Sequence, residues 1–265
     1  MGAAGGLARQ GCRAGGSRGV GAIVAGRCGR AEKELSAHLN SGPRISRASL
    51  AQPVFMQPVL LSLGAVIAAY LVGSLSFAVI VSRVFRLADP RTYGSKNPGA
   101  TNVLRSGNKG AAVLTLLFDA VKGWVPTVVA LQHADALAWP AASVVAVGLA
   151  AFLGHLWPIF FRFEGGKGVA TAAGVLLGLS PWLGLATLGV WLLVAVVFRY
   201  SSLASIVAAL AAPFLYAAFV GLDAGAAGVA VMRLLLLWRH APNIRKLLAG
   251  TESRIGQKAA PADKA

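Results

Sequence analysis

Apolar residues along this chain come in long blocks, not with the short periods of an amphipathic soluble fold. The run 58–82 carries no charge and is long enough to cross a bilayer, for which about 20 residues suffice. A second run, 111–131, is interrupted by Asp119 and Lys122, and a third covers 137–161. The run 169–179 is short; after a Ser180-Pro181 break come 182–198, 203–220 and 224–238. The pattern predicts an all-α, polytopic membrane protein of about seven transmembrane helices, one or two of them short or tilted.

The charges sort these runs. The connection 83–110 holds Arg83, Arg86, Arg91, Lys96, Arg105 and Lys109; the next on that side holds Arg162 and Lys167, then Arg199. The tail holds Arg239, Arg245, Lys246, Arg254, Lys258 and Lys264. The alternate connections, 132–136, 180–181 and 221–223, contain no Lys or Arg. The positive-inside rule then predicts an N-terminus outside and a C-terminus in the cytoplasm.

Composition agrees. Of 265 residues, 56% are hydrophobic and 13% charged, against about 25% charged in soluble domains. A net charge of +16 would point to nucleic acid in a soluble protein. Here it fits cytoplasmic loops against anionic lipid headgroups, with no nucleic-acid partner. Both cysteines, Cys12 and Cys28, lie in the first thirty residues, so the apolar body has neither a disulfide framework nor a thiolate metal site. Its histidines, His133, His155 and His240, are far apart and match no zinc spacing. No metal is expected.

Residues 1–55 differ from the rest. They hold eight cations and two acids among Gly, Ala and Ser, with no spanning run. They read as a disordered basic extension or as a start placed too far upstream, Met56 being the natural one. Residues 56–256 form the membrane body, and 257–265 read as a disordered tail.

Three segments carry candidate chemistry, and all fall on the cytoplasmic side of the expected topology. The first is Gly94-Ser95-Lys96-Asn97-Pro98-Gly99-Ala100-Thr101-Asn102-Val103-Leu104-Arg105. Short hydroxyl and amide donors, glycine backbone and a forked guanidinium suit an oxygen-rich anion such as phosphate. Arg105 is the best candidate for a bidentate contact. The second, Gly154 to Thr171, contains Gly165-Gly166-Lys167-Gly168 opening onto a helix, which turns N–H groups and a positive dipole end toward a ligand. It is not a nucleotide-binding P-loop, because Gly168 and not Ser or Thr follows Lys167. Trp157, Phe160 and Phe163 read as an interfacial aromatic belt; His155, near a helix end, reads equally as a structural hydrogen-bonder or as a ligand. The third, Arg239 to Glu252, contains His240, able to bind phosphate or act as a base, and Asn243. A basic juxtamembrane tail touching lipid is its plainer reading. Asp119 and Lys122, three residues apart, share a helix face and are expected to form a structural ion pair. Arg233 in the last run pairs in a similar way or reaches for the interface.

In order and spacing these segments resemble the acyl-phosphate:glycerol-3-phosphate acyltransferases, the PlsY family. The resemblance rests on Gly94 to Arg105, on Gly154-His155-x-Trp157-Pro158 with Gly165-Gly166-Lys167-Gly168, and on Arg239-His240-x-x-Asn243-Ile244 with Gly250-Thr251-Glu252. It covers about residues 57–256. Lys96 stands where Gly is often expected and is given no role. The resemblance implies a seven-helix bacterial inner-membrane enzyme that moves an acyl group from acyl phosphate to the 1-hydroxyl of sn-glycerol 3-phosphate. The products are lysophosphatidate and phosphate, at the first acylation of phospholipid synthesis. It implies no cofactor and no direct use of acyl-CoA or acyl carrier protein. It also implies a functional link to the enzyme that makes the acyl phosphate. The catalytic set expected is His240, Lys167, Arg105 and Ser95; the substrate-binding set is Asn97, Gly99, Thr101, Asn102, Gly165, Gly166, Gly168 and Asn243. A transporter of phosphorylated metabolites is the alternative, and a lipid-binding scaffold a further one. No internal repeat favours the transporter.

Overall fold

A computed structural model describes residues 47–256, with side chains from Pro58 onward. The chain divides into two units at Val54–Phe55, and the membrane body belongs to the second. Residues 1–46 and 257–265, most of the expected extension and all of the expected tail, lie outside the described residues.

Every regular element among the described residues is helical. The order is α1 (Arg47–Gly73), α2 (Phe77–Val84), α3 (Ala100–Leu104), α4 (Lys109–His133), α5 (Ala141–Leu156), a 3-10 turn (Ile159–Phe161), α6 (Val169–Leu179), α7 (Pro181–Phe198), α8 (Ser201–Phe219), α9 (Ala224–Arg239) and α10 (Ala241–Leu248). Helix α1 begins at Arg47, so nine residues expected to belong to a structureless extension are helical. Among the described residues, four segments are long and apolar enough to cross a membrane: Lys109–His133, Ala141–Phe161, Pro181–Phe198 and Ser201–Phe219. A bent pair, Pro58–Gly73 with Phe77–Val84, makes a fifth. At 1.5 Å per residue, α6 and α9 reach about 16 Å and about 24 Å, short of a hydrocarbon core of about 30 Å. Large apolar side chains such as Leu61, Val113, Leu193, Val196, Phe214 and Leu234 are exposed along several helices. Exposure on that scale fits lipid and not water. The protein is a multi-pass membrane protein.

The run 58–82 is not one helix. It breaks at Ser74–Ser76 and bends by 41°. A buried cation stabilises the break. Lys122 Nζ donates to the freed carbonyl of Leu75 at 2.7 Å and holds Asp119 Oδ1 at 2.8 Å. Both charged side chains are buried, so the pair neutralises what would be an isolated intramembrane charge.

Small residues set the helix crossings. The most extensive contact is α4 against α6. A β-carbon on Gly174 would run into the Ala120 carbonyl, and one on Gly123 into the Thr171 carbonyl. Gly174 and Gly178 thus form a small-xxx-small seam that lets the two backbones touch. Buried hydroxyls on α4 bond within their own helix: Thr115 Oγ1 donates to Ala111 O and Thr127 Oγ1 to Gly123 O, each at 2.8 Å.

Gly174→Val should lower the unfolding temperature in detergent by several degrees, since overpacking a tight seam costs about 1–3 kcal/mol. Gly189→Ala is the control, because nothing lies within 4 Å of a β-carbon there. It should leave that temperature unchanged or slightly raised. Equal behaviour of the two variants would contradict the seam.

Candidate active site

Three loops meet around one cavity of about 740 Å³. Its polar end is lined by Ser95, Asn97, Thr101, Arg105, Lys167 and His240, with Asn243, Glu252 and Ser253 beside them. It continues between the helices along Leu176, Trp191, Ala208, Val229 and Met232, beside which Arg233 also lines it. A polar mouth on an apolar interior is the shape of an amphiphile with an anionic head.

The first loop is organised by Asn102. Its side chain is buried; Oδ1 accepts from the Ser95 backbone N–H at 3.0 Å. Nδ2 donates to the carbonyls of Pro90 and Tyr93 at 2.6 and 3.1 Å. Expected as a substrate contact, Asn102 has both ends of its amide engaged by the loop. Gly94 sits at φ +59 with Asn102 Oδ1 where a β-carbon would go. Lys96 has φ 54, in the left-handed region that glycine adopts most easily, which is a physical reason for the glycine expected there. Thr101 Oγ1 lies 3.3 Å from Ser201 Oγ, and Arg105 Nη2 donates to Ser253 Oγ.

The second loop turns on contacts that do not face the cavity. Gly165 and Gly166, expected to touch substrate, are not among its lining residues. Their carbonyls accept from Arg239: Nη2 to Gly165 O at 2.6 Å, and Nη2 and Nε to Gly166 O at 2.9 and 3.0 Å. Neither has room for a side chain, because a β-carbon on Gly165 would strike the carbonyls of His155 and Leu156. One on Gly166 would strike His155 Nε2. Gly168 lines the cavity at φ +81, with the Phe152 ring filling the place of a β-carbon. It hands the chain to α6, whose first residues, Val169 and Ala170, also line the cavity.

His155 is buried beneath this loop. Its Nδ1 is 3.2 Å from Thr171 Oγ1 and 3.6 Å from Asp119 Oδ1. Asp119 and His155 both reach the cavity wall, whereas Lys122 lies behind it, against the bend between α1 and α2.

The third segment supplies the partners of Lys167. Lys167 Nζ donates to Asn243 Oδ1 at 2.6 Å. Asn243 Nδ2 donates to Glu252 Oε1 at 2.8 Å, and Ser202 Oγ donates to the same oxygen at 2.7 Å. Burial chiefly holds the Lys167 ammonium down at about 8; Glu252 pulls it upward, and the charges of Arg105, Lys246 and Arg239 press it down. His240 is buried, with Nδ1 2.9 Å from the Leu236 carbonyl. A carbonyl only accepts, so Nδ1 carries the proton and Nε2 keeps a free lone pair. Burial and then the Lys167 charge push His240 down to about 4, leaving it neutral at pH 7.

Residue type alone does not single out Arg239, Glu252, Ser202 or Ser253. Arg239 and Glu252 stand inside the motifs, but only their partners in space reveal what they do. Among the described residues no three metal-ligating side chains converge.

The sequence profile for glycerol-3-phosphate acyltransferase matches residues 63–250. The chain belongs to the glycerol-3-phosphate acyltransferase family. A glycerol-3-phosphate acyltransferase of Ralstonia nicotianae is 62% identical over 195 residues, covering 74% of this chain and 94% of the relative. That of Burkholderia lata is 61% identical over 198 residues, covering 73% and 91%. Crystal structures of PlsY, an integral membrane glycerol 3-phosphate acyltransferase, resemble this fold at 38% identity. The glycerol 3-phosphate form superimposes with a TM-score of 0.69 over 74% of this chain and 96% of that one. The lysophosphatidic acid form gives 0.67 over 74% and 95%.

An anion held by Lys167 needs its ammonium, which is present below pH 8 and lost above it. If glycerol 3-phosphate is that anion, kcat/KM for it should fall about tenfold between pH 7 and pH 9. Lys167→Arg should move that fall beyond pH 10, because guanidinium stays charged. A flat wild-type profile across pH 7–9 would contradict this.

Proposed function

We propose that the protein transfers a fatty acyl group from acyl phosphate to the 1-hydroxyl of sn-glycerol 3-phosphate, giving lysophosphatidate and inorganic phosphate. The observation that carries this reading is the single cavity with a mouth of cations and amides and an apolar depth. Relatives named for glycerol-3-phosphate acylation support it. The reaction runs at the cytoplasmic face of a bacterial inner membrane, with seven helices, the N-terminus outside and the C-terminus inside. The cation-rich connections support that orientation.

Lys167, Arg105 and Asn243 hold the phosphate of glycerol 3-phosphate. It takes the place of Asn243 Oδ1 on Lys167 and of Ser253 on Arg105. Ser95, Asn97 and Thr101 line the approach and orient the glycerol. His240, neutral with a free Nε2, accepts a hydrogen bond from the glycerol hydroxyl. A base poised near 4 is weak at pH 7, so His240 aligns the hydroxyl and does not carry its proton away. The hydroxyl oxygen bonds to the acyl carbon, the bond from that carbon to the phosphate oxygen breaks, and the proton passes to a phosphate oxygen. The positive end of α6 at Gly168–Ala170 stabilises the charge that develops. Acyl phosphate is already activated, so proximity and charge supply most of the rate. An enzyme that forms acyl phosphate must supply the donor.

Purified protein in detergent, given labelled glycerol 3-phosphate, should form lysophosphatidate with palmitoyl phosphate and none with palmitoyl-CoA. Product from the thioester, or no product from either, would overturn the reading. His240→Ala should raise KM for glycerol 3-phosphate about tenfold and lower kcat much less. A collapse of kcat at unchanged KM would make His240 the base.

A further inference from the structure

We propose that Arg233 anchors the phosphate of the acyl donor, forming a second anion hold deeper in the cavity than the one made by Lys167, Arg105 and Asn243. The proposal rests on the acyltransferase reading above.

Arg233 is the only charged residue between Asp223 and Arg239 in an otherwise apolar helix. It lines the cavity on the same face of α9 as Val229, Met232 and Leu236. Its Nε is buried with no hydrogen-bond partner among the described residues. Lys122, a buried cation, is by contrast compensated by Asp119 and the Leu75 carbonyl. An uncompensated guanidinium among apolar helices is costly unless a ligand brings the counter-charge.

The reaction requires two anion holds. Each substrate brings a phosphate of about −1.5 to −2 charges, and like charges in one subsite repel. In glycerol 3-phosphate the anion and the attacking hydroxyl stand at opposite ends of three carbons. In the donor, the phosphate is bonded to the carbon under attack. At transfer the two phosphates therefore lie on either side of the reacting carbon. Arg233 is seven residues from His240, about 10 Å along the helix axis, a separation suited to the second phosphate. The nearer cations have other roles. Arg239 is held by the carbonyls of Gly165 and Gly166, and Arg254 lies over the Tyr200 ring. The Arg233 fork matches phosphate oxygens bidentately. As the ester bond forms, the leaving phosphate takes the electrons of the broken carbon–oxygen bond while still paired with Arg233.

The test compares full-length wild type, Arg233→Gln and Arg233→Lys. KM is measured for both substrates, and calorimetry gives Kd for dodecyl phosphonate, a donor mimic that cannot transfer an acyl group. Arg233→Gln should raise KM for palmitoyl phosphate and Kd for the phosphonate about tenfold or more. Glycerol 3-phosphate binding should stay within about twofold, and Arg233→Lys should recover part of the loss. Unchanged donor binding, or equal weakening of both substrates, would overturn the assignment. Phosphonate binding reads Arg233 without turnover, so it decides the matter even in a protein that forms no lysophosphatidate. That last result would instead sink the acyltransferase reading.

Discussion

The grip of Arg239 on the carbonyls of Gly165 and Gly166 is the contact on which the site depends. One guanidinium makes three hydrogen bonds to two consecutive carbonyls and so fixes where the next residue, Lys167, begins. The same arginine is the last residue of α9, immediately before His240. Lys167 and His240 are therefore set against each other by a contact that faces away from the cavity. Lysine could supply the charge but not the planar fork that meets two carbonyls at once.

The membrane core makes that grip possible by letting backbones approach closely. Gly123 and Gly174 bring α4 against α6, and α6 carries the Gly165–Gly168 loop at its start. Beneath the loop, His155 fills the space that a side chain at Gly166 would need. Asp119 and Lys122 connect this layer to the bend at Ser74–Ser76. A chain of buried polar contacts thus runs from the bend in the first span to the loop that carries Lys167. In a low-dielectric interior such contacts fix geometry more than they add stability.

Much of this was legible in the sequence. The helices from 109 to 239 fall where hydrophobic blocks predict them, because lipid forces backbone groups into helices wherever the apolar run is long enough. The three motifs meet, as charge sidedness suggests. What composition could not reveal is which face each residue presents. Gly165 and Gly166 look like a phosphate cradle but act through carbonyls turned to Arg239. Asn102 looks like a ligand donor but closes its own loop. Glu252 looks like an incidental acid in a basic tail, yet it accepts from both Asn243 and Ser202. The break at Ser74–Ser76 was hidden because serine is tolerated in apolar helices. Lys122, distant in sequence, supplies its reason.

In the proposed reaction Lys167, held beside Asn243 and His240, is the anion hold for glycerol 3-phosphate. Calorimetric titration of glycerol 3-phosphate into wild type and Lys167→Ala at pH 7 tests it most directly. Wild type should bind saturably, and the variant, which should still unfold at the wild-type temperature, should bind at least tenfold more weakly. Equal affinity in the two proteins would place the phosphate elsewhere and remove Lys167 from its binding.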